Sequence, residues 1–357
     1  MMRGVEMERA PKGNGPATLR DVAADAGVHP ATASRALNPG TRALVNEETA
    51  RRVLDSAERL GYRPNPIARG LKTNRSYTIG VLVPDLRNPL FPPIARGVEE
   101  RLEPSGYTSL LANTDNDHER EKLSFEAMRA RQVDGFITGT ARREHPLLRE
   151  LADTGVPLVQ VNRRMDDDDV PSVVADDIAG VRMAVDHLVE LGHTRIAHVA
   201  GSLEVSTGQQ RLDGFLKAMG DRGVQADQRL IPTARNYSEA EGQRLTKGLL
   251  DAGLAFTAIL AGNDLMALGC IDAINEAGLR CPDDVSVVGF NDMDWSARFA
   301  PPLTTVRVPH YDLGVQAADL LLERLATDEP GPAKHLVLPV EMVVRGSTGL
   351  TERRDAY

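Results

Sequence analysis

The chain has 357 residues, 41% of them apolar and 26% charged. That balance excludes wholesale disorder, and the length accommodates two or three domains at roughly 150 residues each. The net charge of −9 argues, taken whole, against a nucleic-acid binder. No run approaches the ~18 apolar residues that a membrane span requires, so no membrane partner is expected.

The average conceals an asymmetry. Residues 1–75 carry 13 Lys+Arg against 8 Asp+Glu, whereas the remaining 282 carry 29 against 43. A basic head on an acidic body implies that only the head meets a polyanion. Residues 1–16 are polar and rich in Gly and Pro, which predicts a disordered tail and no secretory leader. The two cysteines, Cys270 and Cys281, have no metal or disulfide spacing and read as reduced thiols of a cytoplasmic protein.

Segment 17–63 reads as three short helices. Thr18 can cap a helix over 19–26, ended by Gly27. Pro30 suits the first turn of a second helix reaching about Asn38. Asn38-Pro39-Gly40 is turn chemistry, and Asn46 caps a third helix over 47–60. Val22 and Ala23 can pack on Val28, Ala33 and Leu37, which leaves Pro30, Ala31, Ser34 and Arg35 exposed. This is the pattern of a helix-turn-helix. A major groove admits one helix, Arg can grip guanine in bidentate fashion, and Ser and Thr hydroxyls suit phosphate oxygens. A hairpin used only for packing is the alternative from pattern alone.

Segment 64–76 follows, with Asn65 as N-cap, Pro66 at the first helical position and then IARGLKT. A helix of two turns is marginal in water, and Gly70 weakens it further, so it is expected to need a partner to fold.

From Tyr77 onward short apolar runs alternate with amphipathic stretches. Strands are expected over 79–83, 109–112, 135–138, 158–161, 196–200, 258–261, 285–290, 336–338 and 342–344. Helices are expected over 181–191, 209–219, 265–277 and 313–325. Continuous Val/Ile/Leu runs between helices imply doubly wound parallel sheets of the α/β class. About 270 residues is long for one such sheet, so two lobes with a cleft are expected. Ligands bind beyond the C-terminal ends of such strands. Polar residues at those ends are Asp85, Asn88, Asn162, Arg163, Asn263, Asp264, Asn291 and Asp292, with Phe91 and Arg211 nearby. Asp85, Asp264 and Asp292 are expected to tie loops or cap helices, and Arg211 and Asn263 to face a ligand. Paired donors and acceptors beside an aromatic face suit a hydroxyl-rich small molecule.

The quartet 166–169 reads as a surface turn, Trp295 as packing, and His193 and His198 as structural. No GxGxxG follows a strand, and there is no P-loop, GxSxG or HExxH. No catalytic residue, metal or cofactor is expected.

The stretches LRDVAADAGVHPATASRALN and VNEETARRVLDSAERLGYRPNPIARGLKTNRSYTIGVLVPDLRNPLF, followed by VNRR, LGHTRIAHVAG, QRLDGF, AGNDLMALG, VSVVGFNDMD and PPLTTVRV, resemble the lactose-repressor (LacI/GalR) family in order along the chain. The resemblance implies a sequence-specific DNA-binding regulator, a repressor, that binds a palindromic operator as a homodimer. Its DNA-facing residues would be Thr18, Leu19, Pro30, Ala31, Thr32, Ser34, Arg35 and Asn38. A hinge helix would add Asn65, Ala68, Leu71 and Lys72, with Leu71 as a minor-groove wedge. The absence of a heptad tail after Val344 favours a dimer. The body would be a two-lobed periplasmic-binding-protein-like fold over 77–350, with an N-lobe of about 77–173 and 308–336 and a C-lobe of about 174–307 and 337–350. Its cleft would take a carbohydrate effector through Asn88, Phe91, Asn162, Arg163, Arg211, Tyr237, Asn263 and Asn291, with Tyr237 stacked on the ligand. By the same likeness, Asn162 and Asn291 stand where aspartate is usual, and Val308 where glutamine is common. A solute-binding transport component and a Rossmann-type sugar enzyme are the competing readings. The basic head speaks against the first, and the missing phosphate-binding loop against the second.

Overall fold

The computed structural model describes residues 17–63, 75–167, 169–327 and 331–351. The chain divides into two compact units between Ser76 and Tyr77.

Among its described residues the first unit holds four helices: α1 (Leu19–Asp25), α2 (Pro30–Leu37), α3 (Pro39–Arg42) and α4 (Glu47–Arg59). Thr18 and Asp21 form a reciprocal capping box on α1. Gly27 takes φ +66, the left-handed turn that lets α2 cross α1, and no neighbour crowds it. His29 caps α2 through Nδ1, which accepts from the Ala31 N–H at 3.2 Å. Val22, Ala23, Ala33, Ala36, Ala50, Val53 and Ala57 close the core, with Leu19, Val28 and Leu37 packed against it. The Ser56 hydroxyl donates to the Val22 carbonyl inside this core, at 3.3 Å. One local expectation fails. Residues 39–42 form a helical turn rather than a simple reverse turn. The Thr41 hydroxyl and the Arg42 Nε–H satisfy the Arg35 and Ala36 carbonyls at the end of α2.

The second unit contains two sheets. The first comprises β1 (Thr78–Val83), β2 (Thr108–Asn113), β3 (Gly135–Thr138), β4 (Leu158–Val161), β5 (Ser172–Ala175) and β10 (His335–Leu338), in the order β10-β5-β4-β3-β1-β2 and all parallel. The second comprises β6 (Ile196–Val199), β7 (Ala258–Ala261), β8 (Ser286–Asn291), β9 (Thr304–Arg307) and β11 (Glu341–Val343), in the order β11-β9-β8-β7-β6. Here β11 pairs antiparallel with β9, a departure from the purely parallel sheets expected. Helices α5 (Phe91–Leu102), α6 (His118–Ala130), α7 (Pro146–Asp153) and α12 (His310–Leu325) accompany the first sheet. Helices α8 (Asp177–Glu190), α9 (Ser206–Asp221), α10 (Glu239–Asp251) and α11 (Asp264–Glu276) accompany the second.

The chain crosses between lobes three times: after β5, after β9 and after β10. The expected lobe limits at 173 and 336 fall inside strands. The N-lobe extends to Ala175 and Leu338, because β5 pairs with β10 through those residues. Strands β5 and β9 were not expected. SVVA is no shorter than β3, β4 or β7, so its length does not explain the omission, whereas TTVR is polar, its buried threonines satisfied by Asp264, Ser347 and Thr348. Among the described residues no helix is long and apolar enough to cross a membrane.

Candidate functional site

On α2, Ala31 and Arg35 are exposed, and Pro30, Thr32 and Ser34 are half-buried. The Arg35 guanidinium has no protein partner among the described residues, so its fork of N–H donors faces water. Leu19 is half-buried against the core, and the Thr18 hydroxyl is engaged by the Asp21 carboxylate at 2.7 Å. Asn38 is half-buried at the C-cap of α2. Asn65, Ala68, Leu71 and Lys72 lie outside the described residues.

In the second unit the C-terminal ends of strands from both lobes frame a cleft of about 460 Å³, within the usual range for small-molecule sites. Asn88, Phe91, Arg163 and Tyr237 line it. A small deeper chamber adjoins it, lined by Asn88, Asn162, Arg163, Arg211, Tyr237, Asn263 and Asn291. The eight residues singled out from sequence therefore all border one continuous region.

Their local geometry differs. Asn162 and Asn291 end β4 and β8 with φ +66 and +120. Asparagine tolerates positive φ better than most side chains, as aspartate does, so the backbone accepts either residue there. Asn263 caps α11 through Oδ1, 2.9 Å from the Met266 N–H. Its buried Nδ2 has no hydrogen-bond partner. The Tyr237 hydroxyl lies 3.1 Å from that of Thr207.

Arg211 is 4% exposed and internally committed. Its Nε donates to Asp177 at 2.7 Å, its Nη1 to the Gly262 carbonyl at 2.5 Å, and its Cζ lies 3.7 Å from the centre of the Phe290 ring. Burial raises the Asp177 carboxyl despite that cation. Arg211 is thus a strut between α8, α9 and the loop after β7, with only its remaining edge toward the chamber.

The aspartates expected to tie loops do so. Asp264 accepts from the Thr305 hydroxyl (2.5 Å), the Ser296 hydroxyl (2.7 Å) and the Met293 N–H (2.8 Å), and burial pushes its carboxyl up to about 6. Asp292 binds Arg307 and Arg345, and Asp85 binds Arg87. Trp295 meets Phe299 edge-on outside the cleft lining. Val308 is buried in the core. Asp166 and Asp167 pair with Arg143 and Arg149 on the surface. His193 is held by Thr257 and Gly349, and His198 by the Leu260 carbonyl. Cys270 and Cys281 are free, and burial pushes both thiols up to about 12.

Sequence reasoning missed part of the lining: Asn116, Glu121, Thr140, Arg142, Ser202, Glu204, Arg235 and Asn236. Asn116, Thr140 and Arg142 follow β2 and β3, so the strand-end rule applied to those two strands finds them. Arg235 and Asn236 follow only an isolated bridge at Thr233, which leaves no hydrophobic signature.

Glu121 and His145 form a buried pair behind the cleft, with His145 Nε2 3.1 Å from a Glu121 carboxylate oxygen. Thr140 donates to the other oxygen. With His118 they make three donor atoms within 4.8 Å of one another. However, His145 Nδ1 accepts from the Arg142 N–H at 3.3 Å. The ring proton therefore belongs on Nε2, which lies near Glu121 without a hydrogen bond to it, so that nitrogen has no lone pair for a metal.

Comparisons with known proteins agree with this arrangement. Residues 18–65 match the family described as bacterial regulatory proteins, lacI family, and residues 185–348 match a periplasmic binding protein-like domain. The chain is 34% identical, over 93% of its length and 97% of the relative's, to a ribose operon repressor of Halalkalibacterium halodurans. The lac repressor dimer bound to operator and an anti-inducer superposes with a TM-score of 0.82 at 31% identity, covering 94% of this chain and 100% of that one. A LacI family transcriptional regulator from Enterococcus faecium with bound ribose gives 0.68 at 31% identity, covering 77% and 100%.

Proposed function

The chain belongs to the lacI family of bacterial regulatory proteins, and from that premise we propose that it is a DNA-binding transcriptional repressor governed by a small polyhydroxy effector. The head reads a pseudo-palindromic operator as part of a homodimer, with α2 in the major groove. Arg35 and Ala31 reach base edges. Pro30, Thr32, Ser34 and Asn38 flank them, and Thr18 and Leu19 sit at the phosphate-facing start of α1. Asn65, Ala68, Leu71 and Lys72 enter this reading through the sequence alone.

The observation that carries the proposal is the pairing, in one chain, of an exposed recognition helix bearing an unpartnered arginine with a two-lobed cleft lined by amides, an aromatic and guanidinium groups. The chain's relatives include a ribose operon repressor, a lac repressor dimer bound to operator and a family regulator with bound ribose. Effector binding shifts the population of cleft geometries and so changes operator affinity; a coupling of ~1–3 kcal/mol is typical of such linkage.

We read the cleft as a binding site and not a reaction centre, because three of its four lining carboxylates are tied to internal partners, Asp85 to Arg87, Asp115 to Arg120 and Glu121 to His145 and Thr140, and the fourth, Glu204, is exposed to water. The protein works in the cytoplasm, where its DNA is. The test is retention of a labelled duplex from upstream of its own gene, titrated with candidate sugars. Retention that a sugar alters supports the reading. A chain that binds sugar but retains no duplex would support the transport alternative instead.

A further inference from the structure

The fixed charges of the cleft are unequally partnered. Of its carboxylates, Asp85 pairs with Arg87, Asp115 with Arg120, and Glu121 with His145 and Thr140. Glu204 is exposed to water. The guanidiniums are treated differently. Arg142, Arg163 and Arg235 line the cleft, and among the described residues none of the three has a carboxylate within ion-pair distance.

Arg163 is the exceptional one. It is only 7% exposed, and its buried Nε has no hydrogen-bond partner. Its Nη1 reaches Asn116 Oδ1 only at 3.5 Å, and its Cζ lies 6.0 Å from the centre of the Tyr237 ring. Arg142 directs Nη2 at the carbonyl of the same Asn116, at 3.4 Å. Two guanidiniums therefore converge on one neutral residue. Burial depresses the Arg163 cation; the like charges of Arg211 and Arg142 add to that depression, while Tyr237 and the Glu121 carboxylate, itself committed to His145 and Thr140, oppose it. A buried cation with no carboxylate within ion-pair distance is costly, and the cost is reduced when an anion joins it. Arg211, by contrast, already has Asp177.

We propose that the effector carries an oxyanion, a phosphoryl or carboxylate group, seated on Arg163 and Arg142. Both groups present paired oxygens that a guanidinium fork binds through parallel charge-assisted hydrogen bonds. The amide-lined chamber of Asn162, Asn263 and Asn291 then receives the hydroxyls. Arg235, on the far side of the cleft, supplies positive charge from the second lobe. This proposal rests on reading the cleft as an effector site.

The test is the thermal transition of the full chain in inorganic phosphate, ribose, ribose 5-phosphate and ribonate, against chloride at matched ionic strength. Wild type is compared with Arg163→Gln and Arg142→Gln. The expected result is that phosphate and at least one anionic sugar raise the Tm above the chloride control. Arg163→Gln should remove that shift, or raise the half-saturating concentration about tenfold or more. Arg142→Gln, at a half-buried position, should weaken it too. The anionic sugar that responds distinguishes a phosphoryl from a carboxylate ligand. Without ligand, Arg163→Gln should melt at or above wild type, since it deletes an unpartnered buried cation. A shift no larger than that in chloride, an equal shift in Arg163→Gln, or an unliganded Arg163→Gln that melts below wild type would overturn the proposal. Ribose stabilising wild type and variant alike would overturn the anion while leaving the effector cleft standing.

Discussion

Gly201 lies flat against the ring of Tyr237. A Cβ built at position 201 would meet the ring carbons and hydroxyl closer than 3.0 Å. The bare backbone after β6 is therefore what lets Tyr237 occupy its place beside Arg163 and Thr207. Gly201→Ala should displace the ring, cost about 1–3 kcal/mol of stability through overpacking, and weaken effector binding. Isothermal titration with an effector found by thermal screening checks this. Unchanged affinity would remove Tyr237 from the ligand-contacting set.

Arg211 and Asp177 form a buried strut, so removing either leaves the other unpartnered. Arg211→Ala should destabilise the protein by about 3–5 kcal/mol, measured by urea unfolding. A double variant, Arg211→Met with Asp177→Asn, should lose less than the sum of the single losses. Additive losses would mean that the two groups do not support one another.

Asp264 collects three donors from two later segments, and so joins β9, the loop after β8 and the start of α11. An asparagine there offers one acceptor oxygen and an unwanted donor. Asp264→Asn should cost about 2–3 kcal/mol in urea unfolding at neutral pH. Stability within a few tenths of wild type would show that the tie is dispensable.

His198 and His310 are buried, and burial depresses both to about 4 from the ordinary value of 6.5. Above pH 6.5 both states hold them neutral. As the pH falls from 6.5 toward 4, the unfolded chain takes up protons that the folded chain refuses, and stability falls. Asp264 opposes this, because its raised carboxyl accepts a proton in the folded state first, near pH 6. His187 and His193, which burial also lowers, act with the first two, and the raised Asp177 carboxyl acts with Asp264. With four groups against two, stability at pH 5 should lie below that at pH 7.5, by an amount on the order of 2–3 kcal/mol. Asp264→Asn should make the fall steeper. A flat or rising profile over this window would contradict the assignment.

Much of this molecule is legible in its residues because buried parallel strands leave uninterrupted apolar runs. Strands β3, β4 and β7 appear at their expected limits. The N-terminal helices announce themselves through Thr18, Gly27, Pro30 and Asn46. Strand β9 was illegible because its threonines are satisfied by hydroxyl and carboxylate partners more than 10 residues away, which no local pattern records. Seven of the eight cleft residues were found because they follow strand ends or stand in family motifs, and Tyr237 came only from the likeness of the whole body. The Glu121–His145 pair was missed because it unites the first turn of α6 with the residue before α7. The commitment of Arg211 to Asp177 was illegible for a related reason: it depends on tertiary packing, while the residue itself still lines the inner chamber as expected.

If α2 lies in the major groove, Arg35 does much of the base reading. Selection of bound duplexes from a random pool by the full chain tests it most directly, with wild type and Arg35→Ala run in parallel. Wild type should enrich a palindromic sequence. Arg35→Ala should then bind that duplex with a loss of about 1–3 kcal/mol and accept other bases at one position in each half-site. A wild-type pool that shows no palindrome, or an Arg35→Ala pool with the same consensus and affinity, would contradict it.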